Sequence, residues 1–204
     1  MRIVIPGGSG HLGTLLARDF QRRGDEVIVL SRNPQLQPWK VEPWSRAVFD
    51  GADVVINLAG RSVACRYDEA HKREILESRV QTTREVGEAI AAAKRPPRVW
   101  LQASTATIYA HRFDAANDEA TGLIGGDEPG VPAYWRFSID IVKAWEQTQA
   151  EAETPATRKV AMLNSVSSIV AASAARSWSG VVTTASIARR TAARNSVTLS
   201  AKRA

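Results

Sequence analysis

Apolar residues along the chain change period several times, and each change marks an element. Ile3-Val4-Ile5 is a short continuous run that stops at a glycine-rich turn, Gly7-Gly8-Ser9-Gly10-His11-Leu12-Gly13. Leu12, Leu15, Leu16 and Phe20 then recur at helical spacing, with Arg22 and Arg23 in the last turn and Gly24 where a helix C-cap is expected. Val27-Ile28-Val29-Leu30 predicts a second strand. Strand, turn, helix and strand thus fit within about 30 residues, the unit of a right-handed parallel crossover.

Beyond it, Pro34, Pro38 and Pro43 interrupt the pattern, leaving a brief third strand near 40–42 and a short helix near 46–49. Residues 53–60 form a buried-strand pattern that runs into Gly60. A long helix is predicted over 68–94, with Leu76, Val80, Thr83, Val86 and Ile90 on its apolar stripe, and Pro96-Pro97 stops it. A strand at 99–104, an acidic, glycine-containing loop at 114–132, a helix at 135–151 and a last strand at 158–163 complete the alternation. Strands alternating with helices predict an α/β doubly wound parallel sheet, with its ligand site at the C-terminal ends of the strands. The expected organisation is one such domain over 1–163, followed by a tail at 164–204.

Charge changes the picture only by dividing it. The net charge is +6, yet residues 1–153 hold 19 Lys and Arg against all 21 acids, while 154–204 hold 8 basic residues and no acid. Within 162–204, Ser, Ala, Thr and Arg supply 28 of 43 residues, a shift in composition as well as in charge. A basic arm for nucleic acid is the alternative for the tail, but six Lys and Arg with one aromatic, Trp178, are thin support, and no nucleic-acid partner is expected. A single cysteine, Cys65, excludes an internal disulfide framework and a multi-cysteine zinc site, and no metal is expected. No apolar run reaches the ~18 residues of a membrane span, and the chain enters a strand pattern at once, so no membrane partner and a cytoplasmic location are the expectations.

Gly8-x-Gly10-x-x-Gly13 directly after a strand and at the mouth of a helix fits a dinucleotide fingerprint. Glycines there allow a tight turn and close approach to a pyrophosphate, while the helix N-terminus offers free N–H groups to the anion. Gly7, Gly8, Ser9, Gly10, His11, Leu12 and Gly13 are accordingly expected to hold a cofactor; a glycine turn without a ligand is the alternative. Ser31-Arg32 ends the second strand with no acid at its tip. An acid there would suit the ribose of NAD, whereas Arg suits the 2′-phosphate of NADP, so NADP(H) is favoured over NAD(H), unless Arg32 is only a solvated loop charge.

The glycine turn, Asn57-Leu58-Ala59-Gly60 and Ser104-Thr105-Ala106-Thr107-Ile108-Tyr109 together resemble the extended short-chain dehydrogenase/reductase superfamily. With residues 74–80 and Ala144-Trp145-Glu146, they are more closely similar to the atypical NAD-dependent epimerase/dehydratase family of sugar-nucleotide-epimerase-like proteins, over about residues 1–161. The resemblance implies an NAD(P)-binding Rossmann fold in which Leu58, Ala59, Gly60 and Ser104 border the cofactor and Thr105 meets the reacting oxygen. It also implies a small-molecule substrate such as a nucleotide sugar.

The superfamily's Tyr-x-x-x-Lys pair is missing. Arg136 and Asp140 fall in its place; Asp would raise a phenol pKa, and Arg cannot exchange a proton. Tyr109 and Tyr134 remain as proton donors, the alternative for each being a packing or substrate-rim residue. His111 is either catalytic or a solvated loop residue, and Cys65 a reactive thiol or a small buried residue beside the cofactor. Arg79 lies where the superfamily often has Asn, and either reaches substrate or pairs with Glu74 or Glu77 on its own helix.

The tail carries none of the family's later motifs, and its acid-free Ala, Ser, Thr and Arg composition is that of a frameshifted or otherwise aberrant end. Loss of the family's later sheet and substrate region predicts exposed strand edges and self-association, including homo-oligomers. The expected function is an NADP(H)-dependent oxidoreductase or epimerase; the alternative is a catalytically silent dinucleotide-binding module.

Overall fold

Alternate side chains of each strand go to opposite faces of one sheet, and the hydrophobic runs feed two separate layers of core. A computed structural model describes residues 1–32, 40–112, 114, 117 and 122–162. Its strands are β1 (Arg2–Pro6), β2 (Glu26–Leu30), β3 (Lys40–Glu42), β4 (Val54–Asn57), β5 (Val99–Ala103) and β6 (Arg158–Met162). The helices are α1 (His11–Arg22), α2 (Glu69–Ala91) and α3 (Ala133–Glu151), with 3-10 turns at Arg46–Phe49 and Ala106–Ile108. The strands form a six-stranded sheet in the order β3-β2-β1-β4-β5-β6, parallel at every pairing. This is the doubly wound Rossmann arrangement, and the order reverses beside β1, between β2 and β4.

On one face, Ile3, Ile5, Val29, Ile56 and Leu101 pack with Leu16, Ala17 and Phe20 of α1. On the other, Val4, Ile28, Val55 and Trp100 pack with Val86, Ala89 and Ile90 of α2 and with Phe49. Gly87 on α2 is a close-approach position, since a Cβ there would come within 2.9 Å of Ala152 and 3.5 Å of the Trp100 ring. Truncating a core side chain such as Leu16 to alanine costs about 2–5 kcal/mol by lost transfer energy and the cavity left.

The predicted elements recur with shifts of a few residues. The 68–94 helix runs over 69–91: Asp68 is its N-cap, its carboxylate accepting from the His71 N–H at 2.9 Å, and Ala92 is its C-cap, ahead of Pro96-Pro97. In its first three turns the deeply buried residue is Ile75, whereas Leu76 and Val80 lie half-buried at the flank. At the end of α1 the cap is Arg23, and Gly24 follows in the left-handed region at φ 80°. Within the acidic loop, Ile124 makes an isolated antiparallel bridge to Tyr109. The Lys159 ammonium on β6 donates to the carbonyls of Ala150 and Ala152 at 2.8 and 2.7 Å, closing the C-terminal end of α3. The tail at 164–204 lies outside the described residues, as do Pro34 and Pro38. No helix among the described residues is long and apolar enough to cross a membrane.

Candidate active site

Three segments converge at the C-terminal ends of β1, β4 and β5. After β1 the chain turns at Gly7, whose φ is 73°, and its N–H donates to Leu30 at 2.9 Å. A Cβ on Gly7 would lie 2.5 Å from the Cα of Ala59, so the turn is pressed against the loop after β4. A Cβ on Gly13 would overlap the backbone of Gly8, which brings the first turn of α1 onto the glycine loop. Helix α1 starts from Gly10 with neither a side-chain cap nor an acid in its first turn. Side chains at Gly7 or Gly13 would push the turn away from the loop after β4 and from α1, and the uncapped helix start leaves N–H donors of the kind that suit a diphosphate.

Ser9 and Ser31 hydroxyls lie 2.9 Å apart, joining the turn to the end of β2, where Arg32 is exposed. His11 is exposed and Leu12 packs against the α1-side core. Beyond β4, the Leu58 N–H donates to Pro6 at 2.8 Å and the Ala59 N–H to the Asn57 carboxamide at 3.1 Å; Gly60 is exposed.

Asn57 anchors a network beneath this loop. It is fully buried, and its amide donates to Gln102 at 3.0 Å and Thr83 at 3.3 Å, while the Trp145 indole donates to Thr83 at 3.0 Å. The four side chains come from β4, β5, α2 and α3. Removing one would strand buried polar partners at about 1–3 kcal/mol each. In the sequence Asn57 stands out only as the first residue of the Asn57–Gly60 motif, with nothing to mark its partners.

At the end of β5 the neighbours Ser104 and Thr105 differ sharply. Ser104 is buried, and its hydroxyl donates to Glu146 of α3; Thr105 is half-buried, accepting from the Thr107 N–H and hydroxyl at 3.4 Å each. Glu146 is only 3% exposed and its second oxygen has no partner among the described residues. Burial pushes its carboxyl above the ordinary value, against the opposing effect of the Ser104 bond. This acid was overlooked as chemistry, although one signal was legible: Ile139, Val142, Glu146 and Gln149 recur at core spacing, with an acid where an apolar residue is expected.

The two tyrosines separate. Tyr109 is 9% exposed and packs with Ile108 and Val142, beside a cavity of about 290 Å³ that His111 and Trp135 also line. Tyr134 is 68% exposed on the first turn of α3. Arg136 and Asp140 are both exposed on that helix, and His111 is exposed with its ring 6.0 Å from that of Trp135. Cys65 is half-exposed, which corrects the reading of it as a small buried residue: its loop after β4 is mostly exposed, and its N–H turns back to Val63.

Arg79 pairs with neither Glu74 nor Glu77. Glu74 pairs with Arg61, and Arg79 turns back over the ring of Trp145 with 5.1 Å from Cζ to the centroid. Among the described residues, no group of three or more His, Cys, Asp or Glu side chains is placed to hold a metal ion.

A doubly wound parallel sheet with a glycine turn at its switch point defines the class of dinucleotide-binding α/β proteins. Comparison with known proteins narrows the class. The model of the NAD dependent epimerase/dehydratase family matches residues 3–125, and the chain belongs to that family. It is 31% identical over 171 residues to the epimerase family protein SDR39U1 of Bos taurus, covering 81% of this chain and 54% of that protein. It is 38% identical over 118 residues to the epimerase family protein YfhF of Bacillus subtilis, covering 53% of this chain and 39% of that one.

Among solved structures, it resembles human SDR39U1 crystallised with NADPH, with a TM-score of 0.67 at 30% identity over 80% of this chain and 53% of that one. It also resembles a nucleoside-diphosphate sugar epimerase of Corynebacterium glutamicum, with a TM-score of 0.61 at 28% identity over 80% of this chain and 33% of that one. The chain spans about half the length of the SDR39U1 relatives it matches.

Proposed function

We propose that this chain binds NADP(H) and acts, as an oxidoreductase or epimerase, on a nucleotide sugar or a similar small molecule. The observation that carries the reading is the Gly7–Ala59 approach: two loops pressed together at the switch point, with the open N-terminus of α1 beside them. Arg32 at the end of β2 favours a 2′-phosphate over a bare ribose, and the similar human protein was crystallised with NADPH. Nucleotide sugar as the substrate class rests on the family and on the similar sugar epimerase.

The dinucleotide would supply hydride exchange when bound. The chain's own residues would orient it: Gly7 to Gly13 around the diphosphate, Ser31 and Arg32 at the adenosine end, Leu58, Ala59, Gly60 and Ser104 along its length. Thr105 would hold the reacting oxygen by its hydroxyl. Tyr109 is the better placed of the two tyrosines for a proton, because it borders a cavity.

A second reading, a catalytically silent dinucleotide-binding module, is favoured by the exposed Arg136 and Asp140 where a Tyr and Lys pair would stand. Its extent would be the domain over 1–163, with the tail at 164–204 an aberrant end.

A thermal melt titrated with NADPH and separately with NADH tests the binding claim. Ligand at 100 times its Kd stabilises by ~2.7 kcal/mol, a rise of roughly 5–10 °C for this length. Arg32→Ser is expected to weaken NADPH binding about tenfold or more and to leave NADH binding unchanged. Equal responses to both cofactors would refute the NADP preference, and no response to either would refute the reading. Product formation from candidate nucleotide sugars separates the enzyme from the silent module.

A further inference from the structure

Arg79 is a half-buried cation that faces no carboxylate among the described residues. Its Nη1 donates to the carbonyls of Ile75 at 3.0 Å and Arg61 at 3.1 Å, and its guanidinium stacks on Trp145. Those contacts fix the plane of the group but bring no negative charge, and Nε and Nη2 have no protein acceptor among the described residues. The three other half-buried arginines each face a carboxylate: Arg2 faces Glu26, Arg61 faces Glu74 and Arg112 faces Asp114. Burial lowers the Arg79 pKa, with only the nearby Tyr67 opposing it, so the group stands partly dehydrated without a compensating anion. A charge taken out of water is ordinarily paired.

Its place in the fold says where a pairing anion would come from. A Cβ on Gly60 would lie 3.1 Å from the Arg79 Cζ, so the guanidinium lies against the loop that follows β4. On the reading that this loop borders the ligand cleft, we propose that Arg79 is an oxyanion-binding residue, its Nε and Nη2 forming a planar fork for a phosphate or carboxylate of a ligand lying beside Gly60. Such a fork matches two oxygens of one anionic group, which a lysine ammonium does not. The anion belongs either to the dinucleotide's own diphosphate or to a second, acidic ligand.

The test is a set of thermal melts of the full chain in inorganic phosphate against chloride at matched ionic strength, with and without NADPH. Wild type, Arg79→Lys and Arg79→Gln are compared. Phosphate is expected to raise the wild-type midpoint. Arg79→Gln weakens the apparent phosphate affinity about tenfold or more, and Arg79→Lys, which keeps the charge and loses the fork, weakens it less. A phosphate effect competed away by NADPH assigns the site to the cofactor's diphosphate; one that persists in NADPH assigns it to a second ligand.

A purely structural Arg79 would lower the midpoint equally in both salts, leaving the phosphate-minus-chloride difference as in wild type, and that result overturns the proposal. So does a wild type indifferent to phosphate. Should neither Arg79 variant melt cooperatively, Gly60→Leu puts a bulky side chain where a Cβ already meets the guanidinium at 3.1 Å and displaces it without removing its charge, and an undiminished phosphate response there overturns the proposal too. Failure of NADPH to bind wild type would sink the dinucleotide reading while leaving the phosphate comparison intact.

Discussion

The glycine turn after β1 and the end of β5 lie at the same end of the parallel sheet but are built by different means. At the turn, the backbone makes the site: Gly7 and Gly13 bring main chain onto main chain, and the donors are N–H groups of a helix start. At β5, side chains make it, with Thr105 half open, Ser104 buried and Glu146 beneath it. A turn made of backbone tolerates little change of residue, because a side chain at Gly7 or Gly13 would collide with neighbouring main chain. A site made of side chains is more easily rewritten, and the loss of a Tyr and Lys pair from α3 fits that difference.

The largest effect is expected at the turn. Gly13→Val would force a branched side chain into the Gly8 backbone, costing about 3 kcal/mol of stability and abolishing the NADPH-induced rise of the melting midpoint. Urea unfolding and NADPH titration check both, and a Gly13→Val chain that binds NADPH normally would remove the contrast between the two regions.

Under β5 the expected effect depends on pH. Glu146 has an ordinary carboxyl value near 4.5 that burial raises, so the folded state holds its proton more tightly than the unfolded state. Stability from this group is complete below the ordinary carboxyl value and is lost as pH rises through the folded-state value. Glu146→Gln, always neutral, lacks this loss, so its melting midpoint relative to wild type should climb with pH from the acid side and then level off. A constant difference across the same range would mean that Glu146 is charged in the folded protein. The smallest effect belongs to Tyr134→Phe, expected within ~0.5 kcal/mol by urea unfolding and without change in NADPH affinity; a large loss of turnover would instead make that exposed ring catalytic.

Legibility in the sequence follows the same division. Glycine spacing between an apolar run and a helical stripe specifies a backbone shape, so β1, α1, β2 and the turn could be placed before any coordinates. The six strands and their alternation with helices were legible for the same reason. Side-chain partnerships across elements were not. Glu146 reads as one more acid on a helix until α3 is set against β5, and Arg79 has Glu74 and Glu77 five and two residues away, off its own helix face, and is set instead against Trp145, on another helix. Ile75 rather than Leu76 is the deeply buried residue because the phase of α2 is set by its packing on the sheet and α3, and both residues are equally apolar on paper.

The parallel sheet also bears on how the chain reaches this state. None of its strand pairs is a hairpin, so each must wait for an intervening stretch of chain to close, and parallel sheets fold slowly for that reason. Among strands of four or more residues, β1 and β2 have the nearest partners, Arg2 with Glu26, whereas β5 and β6 must bring Val99 to Arg158. Among those longer strands the cheapest closure in loop entropy is thus the unit that holds the glycine turn. The proposed cofactor site and the folding nucleus would then be one piece of chain, and a substitution that spoils the turn would slow folding as well as weaken binding.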